Sequence, residues 1–127
     1  MKISLDTNTY SGFMRGEPTL VQVVRSASLI VMPLIVIAEL RAGFAAGNRK
    51  TANARNLQRF LGTPRVSVLS PDEATTYVYA DLFAFLRRQG TPIPANDLWI
   101  AALVLQHNLK LCTSDAHFTR IPHLPRC

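Results

Sequence analysis

The chain is 127 residues long and 48% apolar, enough for one domain with its own core and no disulfide or metal staples. Fourteen Lys and Arg stand against eight Asp and Glu, a formal +6, and eleven of the basic residues are arginine. That balance excludes an acidic solvating chain and favours a polyanionic partner, most simply nucleic acid. Residues 1–10 lack the long apolar core of a secretory leader, and the apolar run from Leu29 to Ala38 meets Glu39, too short to span a bilayer. The expectation is a soluble cytoplasmic protein without membrane contact, its Cys112 and Cys127 carried as free thiols.

In chain order, residues 2–5 (KISL) alternate as a strand and stop at Asp6. Short helices are predicted over 8–15, ending at Gly16, and over 18–27. Leu29–Met32 reads as a fully apolar strand. Pro33 then suits the first position of a helix running to about Ala46, closed by Gly47. Residues 50–61 form a basic helix with Leu57, Phe60 and Leu61 as its apolar stripe. Residues 65–69 (RVSVL) alternate as a strand. Ser70-Pro71-Asp72-Glu73 carries a helix start, with Ser70 as cap and Glu73 three residues on. That helix is expected to turn Ala74, Val78, Leu82 and Phe85 inward and to stop at Gly90. A further helix is predicted from Asp97 to Asn108, burying Ile100, Ala101, Val104 and Leu105. A last strand over 109–113 is followed closely by Asp115. Strands separated by helices argue for a three-layer α/β/α domain with a mostly parallel sheet. Such sheets bind ligands beyond the carboxyl ends of their strands, where Asp6 and Asp115 fall.

Four carboxylates stand out. Glu39 follows six apolar residues and shares a helical face with Ile35 and Ala42, an expensive place for a charge without a positive partner. Arg41, at i+2, does not face it on the same helix. Asp97 begins a helix whose inner face carries Ile100, Ala101 and Val104. Each acid has an ordinary alternative taken alone: Glu39 as a snorkelling surface residue, Asp6 and Asp97 as helix caps, Asp115 as an Asx turn. The alternatives explain the set poorly. Two acids end strands, and two lie on inward helical faces flanking the same edge. Converging carboxylates raise one another's pKa unless a cation relieves them. Mg²⁺ or Mn²⁺ suits carboxylate and water oxygens. Without these four acids, fourteen basic residues face four acidic ones, a formal +10. An acidic metal pocket in a basic body is what phosphodiester hydrolysis requires.

The segments LDTN (5–8), IAELRAG (37–43), IPANDLWIAA (93–102) and LCTSDAHFTRI (111–121) together resemble PIN-domain ribonucleases, particularly the VapC-like toxins of toxin–antitoxin pairs. They occur in that family's order and span nearly the whole chain, 1–127, as a single PIN domain. The resemblance implies that Asp6, Glu39, Asp97 and Asp115 are the catalytic, metal-site acids. It implies that Thr7 and Asn8 support the first acid, and Thr113 supplies a further supporting hydroxyl. It also implies RNA hydrolysis with Mg²⁺ or Mn²⁺, a homodimer, and a small antitoxin protein that silences the enzyme. Where many relatives continue with a further strand after Ile121, this chain reads PHLPRC, so that strand is expected to be short or absent.

No acid occurs between Leu40 and Pro71, where Arg41, Arg49, Lys50, Arg55, Arg59 and Arg65 lie. They form either an RNA- or partner-contacting flank or a solvated basic face. Cys112, His117, His123 and Cys127 match no tight zinc pattern, and zinc is not expected. His117 either lies near Asp115 and touches substrate or is a lone surface histidine, and the second reading is preferred. Tyr77, Phe83, Phe85 and Trp99 are assigned to core or dimer packing rather than base stacking. A receiver domain would need an acidic pair after the first strand, and a haloacid-dehalogenase phosphatase Asp-x-Asp; Asp6 is alone and Asn8 holds the third position. The remaining alternative is a PIN fold that binds RNA or a protein without cutting or acting as a toxin.

Overall fold

In a computed structural model describing residues Met1–Cys127, four parallel strands form one sheet in the order β3-β2-β1-β4. The elements are β1 (Lys2–Leu5), α1 (Thr7–Met14), α2 (Pro18–Ser26), β2 (Leu29–Pro33), α3 (Leu34–Ala46), α4 (Lys50–Leu61), β3 (Val66–Leu69), α5 (Glu73–Gln89), α6 (Ala95–Gln106) and β4 (Lys110–Cys112). A 3₁₀ turn over Ala116–Arg120 follows β4. Ile3 is level with Ile30 on one side and with Lys110 on the other. The chain builds outward from β1 through β2 to β3, then returns to place β4 on β1's free side. The order therefore reverses between β1 and β4, and a crevice opens beyond their carboxyl ends.

Packing explains the apolar runs. Residues Ile30–Pro33 are buried because both faces of a covered parallel sheet are dry. In α6, every residue from Ile100 to Val104 is buried, because the helix lies between the sheet and α5. The core joins Ile3, Leu5, Ile30, Met32, Val36, Leu57, Leu86, Ile100, Leu111 and Phe118 in one cluster.

Several local expectations shift. Pro33 ends β2, and α3 begins at Leu34. The cap of α5 is Asp72, not Ser70: its carboxylate accepts from the Thr75 amide at 3.0 Å while Thr75 Oγ1 accepts from the Asp72 amide at 2.9 Å. This reciprocal box outcompetes the Ser70 pattern two residues upstream. On α5, Thr75, Leu82 and Leu86 are buried, Val78 and Phe85 pack at the core's margin, and Ala74 is exposed. Gly90 closes the helix at φ +79°, a left-handed conformation suited to glycine. Tyr77 and Phe83 are exposed rather than core.

The cysteines correct the expectation of free thiols: Cys112 and Cys127 form a disulfide, with Cα atoms 4.7 Å apart. The cause is the return of the tail along β4. Leu111 donates its amide to Pro125 O at 2.9 Å, and Cys127 donates to Leu111 O at 3.0 Å. One parallel bridge, Leu111 to Arg126, is all that forms of a further strand. His123 lies edge-on against Phe85, so the four Cys and His side chains do not converge. No helix is long and apolar enough to cross a membrane.

Candidate metal centre

Asp6 ends β1 and starts α1, and both of its oxygens are engaged. Oδ1 accepts from the Thr9 amide at 2.9 Å, so Asp6 does cap α1. Oδ2 accepts from the Thr113 hydroxyl, across the crevice. Thr113 Oγ1 in turn accepts from the Asp115 amide at 3.0 Å. A partly buried chain of hydrogen bonds thus links the carboxyl ends of β1 and β4. Thr9 ties the same two strands from beneath, donating Oγ1 to Cys112 O at 2.8 Å.

Glu39 lies half-buried in α3 and is held from two elements. Thr7 Oγ1 donates to its Oε1 at 2.8 Å, and Asn96 Nδ2 donates to its Oε2 at 3.4 Å. Thr7 therefore orients Glu39 rather than Asp6. Asn8 is exposed and makes no side-chain hydrogen bond to the acids. Asp6 instead takes its support from Thr9 and Thr113.

Asp97 is the third residue of α6, which starts at Ala95, two residues earlier than expected. Pro94 occupies the cap position and offers no capping side chain. The Asp97 carboxylate caps nothing; its partner is His117, with Nδ1 2.8 Å from Oδ2. The same nitrogen lies 3.4 Å from Asp115 Oδ1. Asp115 begins the 3₁₀ turn, and its Oδ1 accepts from the His117 amide at 2.9 Å. One ligand atom from each of Asp97, Asp115 and His117 lies within 4.8 Å of the other two. Burial pushes the Asp97 carboxyl above its ordinary range. The Asp115 and Glu39 charges push the same way, and the His117 hydrogen bond opposes them.

The structure therefore gathers Asp97, Asp115 and His117, sets Glu39 near enough to act on Asp97, and wires Asp6 to Asp115 through Thr113. This donor set fits a divalent cation: oxygen-rich, partly dry, and carrying negative charge that His117 offsets only in part, since the Asp97 carboxyl is still raised. Sequence reasoning underrated His117 and passed over Asn96 and Thr9. His117 and Asp97 are twenty residues apart, and only the turn after β4 brings them together. Asn96, beside Asp97 in the chain, gave no signal of its own.

The basic residues lie elsewhere on the surface. Arg41 on α3, and Arg49, Lys50, Arg55 and Arg59 along α4, are all exposed. Arg49 and Lys50 stand at the start of α4, with no acid in its first turn. Positive charge at that end opposes the helix dipole, so helix stability does not explain it. Arg65 differs: its Nη1 donates to the carbonyls of Val24 and Ala27, tying α2 to β3.

Parallel order, the crevice between β1 and β4 and the acids around it define a class. The PIN domain matches residues 3–124, and the chain belongs to that family. It is similar to Ribonuclease VapC1 of Haemophilus influenzae (strain R2866), at 35% identity over 94% of this chain and 92% of the relative. It is also similar to Toxin FitB of Neisseria gonorrhoeae, at 34% identity over 89% and 87%. Among solved structures, VapBC2 from Rickettsia felis, bound to a DNA fragment from its promoter, superposes with a TM-score of 0.85 at 29% identity, covering 100% of this chain and 98% of that one. VapBC-1 from nontypeable Haemophilus influenzae gives 0.85 at 32% identity, covering 100% and 97%.

Proposed function

We infer that this chain is an endoribonuclease, the toxin of a toxin–antitoxin pair, working in the cytoplasm with Mg²⁺ or Mn²⁺ at the acidic edge. The observation that carries the reading is the meeting of Asp97 and Asp115 beside Glu39, in a chain whose relatives are named as ribonucleases and toxins. Asp97, Asp115 and Glu39 are the residues to hold the cation, with Asp6 completing the acidic set. Such a cation lowers the pKa of an attacking water and stabilises charge on phosphoryl oxygens.

The chain's own residues prepare that site. Thr113 orients Asp6 with its hydroxyl proton and braces the Asp115 backbone with its oxygen lone pair. Thr7 and Asn96 fix Glu39 from opposite sides. Partial burial of Asp97 strengthens its attraction for a cation over that of an exposed carboxylate. Arg41, Arg49, Lys50, Arg55 and Arg59 contact the RNA backbone or the antitoxin. A groove of about 440 Å³ beside Arg49, lined by Tyr10, Met14, Phe44 and Asn53, suits a protein segment with apolar and polar side chains. A homodimer belongs to the same reading, with exposed Tyr77 and Phe83 on α5 as the surface to cover. All four acids are present, which disfavours a PIN fold that only binds.

The test compares wild type with Asp6→Asn and Asp97→Asn on structured RNAs in Mg²⁺, Mn²⁺ or EDTA. Cleavage by wild type in either metal, lost in EDTA and in both variants, is expected. Cleavage indifferent to both variants and to EDTA overturns the proposal.

A further inference from the structure

The histidine is the unexpected member of an otherwise oxygen-only site. We propose that His117 is a nitrogen ligand of the cation, and that it sets a preference for Mn²⁺ over Mg²⁺. The inference rests on the metal reading above and adds a ligand and a selectivity to it.

Three observations support it. First, Nδ1 approaches two carboxylates of different elements, at 2.8 Å from Asp97 Oδ2 and 3.4 Å from Asp115 Oδ1. Neighbouring ligands around an octahedral ion with bonds of about 2.1 Å are about 3 Å apart. The nitrogen thus already stands at polyhedron-edge distances from two oxygens. Second, the position is built by local structure. Asp115 Oδ1 accepts from the His117 amide, and this turn folds the imidazole back over the carboxylate that begins it. The ring is not a free surface side chain that has swung onto the acids. Third, the ring is 37% exposed, so it sits at the rim, where exchanging a hydrogen bond to Asp97 for a bond to an arriving ion needs no repacking of the core.

The chemistry then sets the preference. Mg²⁺ demands near-ideal octahedral oxygen coordination and keeps its waters. A first-row transition ion gains more from an imidazole than Mg²⁺ does. Asp97 and Asp115 serve both ions, and His117 favours Mn²⁺. The ring lies between the two acids, 2.8 Å from Asp97 Oδ2 and 3.4 Å from Asp115 Oδ1.

Metal-free full-length protein titrated with Mn²⁺, and followed by pulsed electron paramagnetic resonance, tests the proposal. Wild type is expected to show the coupling of a directly bonded ¹⁴N nucleus. His117→Ala is expected to lose that coupling and to weaken Mn²⁺ binding about tenfold. Mg²⁺ binding, read by competition against Mn²⁺, should change less than about threefold. Mn²⁺ bound without nitrogen coupling in wild type, or with coupling retained in His117→Ala, overturns the proposal and leaves the acidic metal site standing. Absence of any Mn²⁺ binding to wild type overturns both.

Discussion

Two helices of this molecule, α5 and α6, begin beside an aspartate, and the two aspartates do opposite things. Asp72 gives its carboxylate to the start of its own helix. It accepts from the Thr75 amide, and from Gln106 Nε2 at 3.0 Å at the far end of α6. The Gln106 hydrogen bond and then the Thr75 amide hold it below the usual carboxylate range. Asp97 sits inside the first turn of α6 and gives nothing to it. Burial and two neighbouring acids push its carboxyl up. Both are aspartates at the start of a helix, but Asp72 holds the cap position of α5, where extended backbone lets its side chain turn back onto a first-turn amide, whereas Asp97 is the third residue of α6. What separates them further is what surrounds each carboxylate. Asp72 is met by Thr75 and Gln106, whereas Asp97 is met by His117 while the Asp115 and Glu39 charges push against it.

The largest expected difference is in activity. Asp97→Asn should reduce RNA cleavage by about a thousandfold or more, the loss expected if its charge holds the cation as proposed. Asp72→Asn should leave cleavage within about twofold, measured as initial rates on one RNA. If the two variants lose activity equally, the distinction between the helix starts fails.

The next difference is in cation-linked stability. At 100 times its dissociation constant, Mn²⁺ should stabilise wild type by about 2.7 kcal/mol, read from thermal unfolding. Asp72→Ala should keep that gain and Asp97→Asn should lose most of it. Thr113→Val sharpens the point from below the site, by cutting the link between Asp6 and Asp115. Cleavage should fall about 10- to 100-fold with the fold retained by circular dichroism.

Smaller effects follow in metal-free protein. Asp72→Ala should lower the unfolding temperature by a few degrees through loss of the cap. Asp97→Asn should leave that temperature unchanged or raise it, by removing a partly buried charge beside those of Asp115 and Glu39.

The pH dependence has opposite signs at the two positions. Asp97 holds its proton more tightly folded than unfolded. Its contribution therefore weakens as pH rises from the unfolded value of about 3.9 through the raised folded one. Asp72 has a lowered folded value, so its stabilisation is present above the unfolded value and is lost as pH falls through the folded one. Unfolding temperatures recorded against pH in EDTA should show each variant removing one of these opposed slopes.

The comparison also shows what the sequence made legible. The order of strands and helices followed from apolar periodicity, and the carboxyl-edge position of Asp6 and Asp115 followed from that order. Glu39 stood out because an apolar run surrounds it. Boundaries slipped where two signals competed: Ser70 and Asp72 both start plausible caps, and only the reciprocal bond with Thr75 decides between them. The difference between Asp72 and Asp97 was hidden, because it depends on Gln106 and His117, which are brought in by tertiary packing. The Cys112–Cys127 disulfide was hidden for the same reason, since the tail's return along β4 leaves no local pattern.

The most direct measurement is the anomalous scattering of Mn²⁺ in crystals of the wild-type protein. The account predicts a peak within bonding distance, about 2.0–2.4 Å, of carboxylate oxygens from both Asp97 and Asp115, and none at Asp72. A well-ordered Mn²⁺ elsewhere on the chain, with Asp97 and Asp115 left unligated, would contradict it.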